Sequence, residues 1–180
     1  MLGHGAGGGI DAPDLVAATN AARSAQLTVA LIEQPYRVAG RRSPAPARQL
    51  DAAFSFVVSE LREGPLGGID LLVTGGRSSG ARVACRTASD TGSAAVLCLA
   101  FPLHPPGRPE KSRLDELDAV EVPTLVVQGG NDPFGMPPDG RNRTVVRVAG
   151  SHSLRDGSSI TAAVASWLAT LIGGGKATTR

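Results

Sequence analysis

The sequence predicts an α/β chain of three layers, with helices on both faces of a mostly parallel sheet. Three observations predict it. Short apolar runs alternate with amphipathic helical stripes along the whole chain, and the runs are near-continuous, as suits strands buried on both faces. The unusual residues gather in loops that follow those runs, where open α/β sheets place their sites. With 180 residues and 42% apolar composition there is room for one sizeable core, so a single domain over 1–172 is expected, with a flexible tail over 173–180.

The elements follow in order. Met1-Leu2 leads into a glycine-rich loop, Gly3–Gly9, and then Asp11, Pro13 and Asp14 suit the first turn of a helix reaching about Ala25. Leu27–Glu33 reads as a strand. Leu50, Phe54, Val57, Val58 and Leu61 then form one helical stripe, and Ile69–Thr74 is the next strand. Ala81–Cys85 reads as a helix, Ala94–Ala100 as a strand, and a short helix is expected near Lys111–Ala119. Pro123–Gln128 and Thr144–Val148 are two further strands. A last amphipathic helix carries Ile160, Val164, Trp167, Leu168, Leu171 and Ile172.

Composition excludes several classes of function. Eighteen basic against 16 acidic side chains give a net charge of +2, and no block of five like charges exists to hold nucleic acid. No run approaches the ~18–20 apolar residues of a bilayer span. No charged segment followed by an apolar one marks secretion, and Cys85 and Cys98 sit inside apolar runs as core residues of a reducing compartment, so a cytoplasmic location is expected. Two cysteines without CxxC spacing signal neither a disulfide framework nor a metal site, and no cofactor is expected. The excess of Arg over Lys, with abundant Ala and Gly, suggests a GC-rich bacterial genome.

The chemistry is concentrated in four loops. Gly76-Arg77-Ser78-Ser79-Gly80 fits GxSxG, in which a serine on a sharp strand-to-helix turn is raised above the sheet and the flanking glycines make room for the strained backbone. The strand before it and the helix after it supply that context. A serine nucleophile needs a base, and the base needs a carboxylate to fix its tautomer. Among three histidines, His152 lies just after the last strand, and Asp132 lies in the loop after Pro123–Gln128. The chain order Ser78, Asp132, His152 is that of α/β-hydrolases. An oxyanion hole is expected from the N–H groups of Ala6, in the loop His4-Gly5-Ala6-Gly7, and of Ser79; His4 itself is expected to be structural. His104 and Arg108 are candidates for contact with an acidic substrate group, and Arg77 adds positive potential beside the serine.

Taken together, GHGAGGGID, QPY, GGRSSGAR, FPLHPPGRPEK, VPTLVVQGGNDPFG and GSHSL resemble the small, lid-less α/β-hydrolases of the KANSL/Tex type, close to dienelactone hydrolases. The resemblance covers almost the whole chain and implies an α/β-hydrolase fold with Ser-His-Asp chemistry and no large cap. Dienelactone hydrolases carry a cysteine at the elbow where this chain has Ser78, and Ala81 stands where the related pattern often has a second glycine. The expected activity is that of a serine hydrolase, carboxylesterase or thioesterase, acting on a small-molecule ester. Because relatives include a scaffold subunit of a chromatin complex, the alternative is a non-catalytic interaction module. Gly3, Gly5 and Gly8 also satisfy GxGxxG with Glu33 downstream, a dinucleotide-binding reading that leaves Ser78, Asp132 and His152 as coincidences.

The fold that the resemblance implies has a strand before the HG loop, between Leu27–Glu33 and Ile69–Thr74, and here only Met1-Leu2 supplies it. Its neighbours are expected to face each other across a missing row, with each unsatisfied buried group costing roughly 1–3 kcal/mol. A start upstream of Met1, adding one or more strands, is expected.

Overall fold

Local pattern becomes architecture in the computed structural model, which describes residues 1–174. The elements are β1 (Leu2–Gly3), α1 (Pro13–Ser24), β2 (Leu31–Ile32), α2 (Pro35–Val38), α3 (Ala47–Glu63) and β3 (Val73–Arg77). They continue with α4 (Ser79–Thr87), β4 (Ala95–Leu99), α5 (Leu114–Asp118), β5 (Thr124–Gly129), β6 (Arg143–Val148) and α6 (Gly157–Gly174). All strand pairs are parallel, in the order β2-β1-β3-β4-β5-β6. Successive side chains along a strand point to opposite faces, and the core divides accordingly. Leu97, Leu99, Leu125 and Val127 pack with Leu15, Ala18, Ile160 and Val164 of α1 and α6. Val96, Cys98 and Val126 pack on the other face with Ala81, Ala84 and Cys85 of α4 and Leu117 of α5. The stripe of α3 buries Leu50, Phe54 and Val58 beside Val83 of α4.

The two cysteines lie in that second face, both buried, with their sulfurs 3.5 Å apart. Contact with Cys85, together with burial, pushes the Cys98 thiol well up from its ordinary range, which keeps it an unreactive core group. Among the described residues no helix is long and apolar enough to cross a membrane.

One element, α2, and the limits of α6, β2 and β3 differ from expectation. The turn α2 has four residues, too few to show a period, and Pro35 at its start was the only sign of it. Gly173 and Gly174, expected in the tail, close α6, and the rest of that tail, 175–180, lies outside the described residues. The strand over Leu27–Glu33 shrinks to Leu31–Ile32, and the one expected from Ile69 begins only at Val73.

The shortness of β2 has a physical cause in β1. Leu2 pairs with Leu31 on one side and Gly75 on the other, and Gly3 pairs with Ile32 and Gly76. The expected empty row is therefore filled for two residue pairs. Below them, Leu27–Ala30, Ile69 and Leu71–Val73 flank an apolar cavity of about 180 Å³ beside Met1, and neither Thr28 nor Leu71 makes a backbone hydrogen bond among the described residues. A strand needs a partner to satisfy its N–H and C=O groups, so β2, which pairs only with β1, covers the two residues that β1 reaches, whereas β3 spans the five residues that pair with β4. The Met1 ammonium donates to the Val73 carbonyl at 2.7 Å in this apolar setting.

Burial pushes the Met1 ammonium down from 8.0 to about 6. Between those values the unfolded chain binds more protons than the folded one, so this group makes stability rise with pH across the window, by roughly 2–3 kcal/mol in full. Adding about three strand-forming residues ahead of Met1 lengthens β1 and puts a neutral peptide N–H in place of the ammonium. The extended chain is expected to unfold at higher urea concentration and to lose that rise. Equal midpoints and equal pH dependence for the two chains would contradict this.

Candidate active site

Chain direction across the sheet fixes where a site can form. From β1 the chain turns toward β2 through α1 on one face, whereas from β3 it turns toward β4 through α4 on the other. The loops after β1 and β3 therefore diverge and leave a crevice at their carboxyl ends. His4–Ala6 lie on one side of that crevice and Ser78 on the other.

Ser78 sits between β3 and α4 with φ +52° and ψ −109°, a left-handed conformation that costs a non-glycine residue about 1–3 kcal/mol. The surroundings hold it there. Its N–H donates to the Leu99 carbonyl at 2.8 Å, and its own carbonyl accepts from Arg82 N–H at 3.2 Å. A Cβ on Gly76 or on Gly80 would collide with the Gly3 carbonyl oxygen, so both positions of the motif require glycine for close approach of β1 to the turn.

The expected partners of Ser78 meet it. His152 Nε2 lies 2.9 Å from Ser78 Oγ, and His152 Nδ1 lies 2.9 Å from Asp132 Oδ2. A carboxylate only accepts, so the Nδ1–H donates to Asp132 and Nε2 is left to accept the Ser78 hydroxyl proton. The Asp132 side chain is 1% exposed and that of His152 is 16% exposed. The second carboxylate oxygen, Oδ1, accepts from Phe134 N–H at 2.8 Å, and the Phe134 ring lies over the imidazole with centroids 4.2 Å apart. Gln128 Nε2 donates to the same Asp132 Oδ2 at 2.8 Å.

The first glycine-rich loop reaches the serine. A Cβ placed on Gly5 would stand 3.5 Å from Ser78 Cβ, which sets Gly5 against the serine. Ser79 opens α4, where N–H groups have no intrahelical partner, and neither its N–H nor that of Ala6 donates to a protein atom among the described residues. The Ala6 carbonyl is tied off by the Tyr36 hydroxyl at 3.1 Å. His4 is buried; its Nε2 accepts from Gln34 N–H at 3.0 Å and its Nδ1–H donates to the Gly5 carbonyl at 2.8 Å, so both ring nitrogens are used in shaping the loop.

Arg77, expected to add positive potential beside the serine, is paired with a buried carboxylate. Its Nε lies 2.8 Å from Asp14 Oδ2, with side chains 16% and 1% exposed, and its Nη2 donates to the His152 carbonyl at 3.1 Å. Burial raises the Asp14 carboxyl from its usual range, with the Arg77 charge acting in opposition. The pair clamps α1, the elbow and the His152 loop together. Beyond that loop, Asp156 accepts from Ser158 Oγ and from Ser159, which holds its carboxyl at about 2 and fixes where α6 starts.

The candidate substrate contacts divide. His104 N–H donates to the Phe134 carbonyl at 3.0 Å and its ring packs against Gly135, so it joins the loop that carries Asp132. Arg108 is exposed and its guanidinium makes no hydrogen bond or ion pair among the described residues. Sequence reasoning missed Gln128, Asp14 and Phe134. The signals were a polar residue ending an apolar strand run, an acid read only as a helix opener, and an aromatic next to Asp-Pro. Among the described residues no group of three or more His, Cys, Asp or Glu side chains could hold a metal.

A sheet of this order, with a strained serine after β3 and an acid and a histidine after β5 and β6, defines an α/β-hydrolase fold. Residues 1–159 match the family described as Alpha/beta hydrolase domain, and the chain belongs to that family. No curated protein sequence matches it. Among solved structures, it is similar to an α/β serine hydrolase without lid from Xanthomonas campestris, at 21% identity and TM-score 0.69, covering 92% of this chain and 81% of that one. Est1E from Butyrivibrio proteoclasticus, solved with ferulic acid bound, matches at 16% identity and TM-score 0.73 over 96% of this chain and 88% of its own. A dienelactone hydrolase from Anabaena variabilis matches at 18% identity and TM-score 0.65 over 94% and 82%.

Breaking a buried ion pair on one side leaves an uncompensated charge. Arg77→Met is therefore expected to lower unfolding free energy by about 3–5 kcal/mol, and Arg77→Met with Asp14→Leu to recover most of it. Urea denaturation of the two variants checks this, and a double variant no more stable than the single one contradicts it.

Proposed function

We propose that the protein is a serine hydrolase of the carboxylesterase or thioesterase type, cleaving a small ester through an acyl-enzyme. The observation that carries this reading is the unbroken hydrogen-bond chain from Ser78 through His152 to Asp132, 2.9 Å on each link. In the first half-reaction Ser78 Oγ bonds to the substrate carbonyl carbon as its proton passes to His152 Nε2. Asp132 keeps the imidazole oriented and stabilises the imidazolium. The carbonyl oxygen becomes an oxyanion, received by the N–H groups of Ala6 and Ser79. Collapse of the tetrahedral adduct breaks the bond to the leaving alcohol or thiol, which takes the proton from His152. A water then gives its proton to His152, bonds to the acyl carbon and releases the acid, and Ser78 regains its proton. The reaction as written needs no cofactor.

The shape of the rim bears on the substrate. Between β4 and β5 the chain has only the PLHPPG loop, its following turn and the five-residue α5, a span too short for a covering domain. An open, shallow site fits small or solvent-exposed esters. Arg108, exposed on that loop, and His104, against the Asp132 loop, are where an acidic substrate group would be met. The likeness to a lid-less serine hydrolase and to a structure with ferulic acid bound supports the same reading.

Intact-mass labelling of the folded protein with a fluorophosphonate is the test. One adduct is expected on the wild type and none on Ser78→Ala, with His152→Ala slowed by at least ~10³-fold. Absence of an adduct on folded wild type overturns the reading in favour of a non-catalytic hydrolase-fold interaction module. Undiminished labelling of Ser78→Ala moves the chemistry to another residue.

A further inference from the structure

We infer that Gln128 is a positioning residue for the Asp132–His152 pair, acting through the carboxylate oxygen that His152 uses. The inference rests on the proposed serine hydrolase reading. Gln128 is the penultimate residue of β5 and has no exposed surface. Its side-chain nitrogen lies 2.8 Å from Asp132 Oδ2, 2.9 Å from the Gly135 carbonyl and 3.1 Å from the Phe101 carbonyl, while Oε1 has no partner. Three acceptors around one atom fix the amide orientation, because turning it over would set Oε1 against three oxygens.

The three acceptors belong to different pieces of the site. Phe101 follows β4, Asp132 receives His152, and Gly135 ends the turn that also presents Phe134 to the imidazole ring. One amide thus ties the acid's loop to the neighbouring strand end and sets which carboxylate oxygen faces His152. Asp132 Oδ2 accepts two donors, Gln128 Nε2–H and His152 Nδ1–H, and Oδ1 accepts one, Phe134 N–H. A carboxylate held by several donors keeps its charge and its direction, which is what a base-orienting acid requires. Other titratable or charged side chains on the elements around this loop are His104, against Gly135, and Arg147, which lies opposite Gln128 on β6 and donates to the Gly130 carbonyl.

The chemistry of the inference separates it from a packing role. In Gln128→Glu, a protonated carboxyl still donates one hydrogen bond to Asp132 Oδ2. Once ionised, it places a second negative charge against Asp132 and donates nothing, so Asp132 and His152 lose their arrangement. Gln128→Met keeps the volume and has no donor at any pH.

The test is the fluorophosphonate labelling rate of wild type, Gln128→Glu and Gln128→Met across about pH 6 to 9, measured on the folded fraction from gel filtration. The rate of Gln128→Glu relative to wild type is expected to fall by about tenfold or more as pH rises, and Gln128→Met to run about 10–100-fold slower at every pH. A ratio for Gln128→Glu that does not change with pH, with Gln128→Met within about twofold of wild type, overturns the inference and leaves the hydrolase reading standing. Failure of the wild type to label overturns both. If Gln128→Glu does not fold, the rate of Gln128→Met decides alone.

Discussion

The whole site depends on one close approach, that of the end of β1 to the turn between β3 and α4. The carbonyl oxygen of Gly3 occupies the space where side chains at 76 and 80 would lie. This contact lets the chain turn sharply enough to hold Ser78 at positive φ, and it brings Gly5 against the serine from the other side. A two-residue strand suffices for this because it pairs with both neighbours at the end of the sheet where the crevice opens. The same brevity leaves the opposite end with an apolar cavity and limits β2 to two residues. The site thus lies at the carboxyl end of the sheet, and the apolar cavity lies at the other.

Charge and hydrogen bonding then hold the histidine from two directions. Arg77, anchored by the buried Asp14, grips the backbone of His152. Gln128 and Phe134 grip the carboxylate that faces its ring. The imidazole sits between a backbone anchor and a side-chain anchor supplied by different strands, so its position does not rely on the loop's own stiffness. A side-chain arrangement of this kind needs supporting residues whose own positions are fixed, and each supporting polar group here is largely buried.

Much of this was legible in the sequence, for identifiable reasons. The buried strands β4 and β5 were readable within one or two residues because both faces are covered, which gives continuous apolar runs, and the edge strand β6 was readable from its β-branched residues. Ser78, Asp132 and His152 were readable because the chemistry demands those residue types in that chain order, and the structure sets them in hydrogen-bond contact. The length of β2 was not, since strand extent is decided by a partner and its partner is the two-residue β1, while β3 covers only the five residues that pair with β4. The role of Arg77 was hidden because its counter-charge, Asp14, is 63 positions earlier and reads locally as a helix opener. Gln128 was hidden because a polar residue closing a strand run carries no pattern by itself; only the three acceptors around its amide give it meaning.

The central claim is that the Ser78 hydroxyl becomes covalently acylated with His152 as its base. Acid quench of a millisecond reaction with p-nitrophenyl acetate, followed by peptide mass analysis, tests it most directly. A burst of one nitrophenolate per chain, with a single acetyl group on the peptide that contains Ser78, is the expected result. Steady release with no burst and no acetylated peptide, under conditions where turnover is seen, would contradict it, as would an acetyl group found on any other residue.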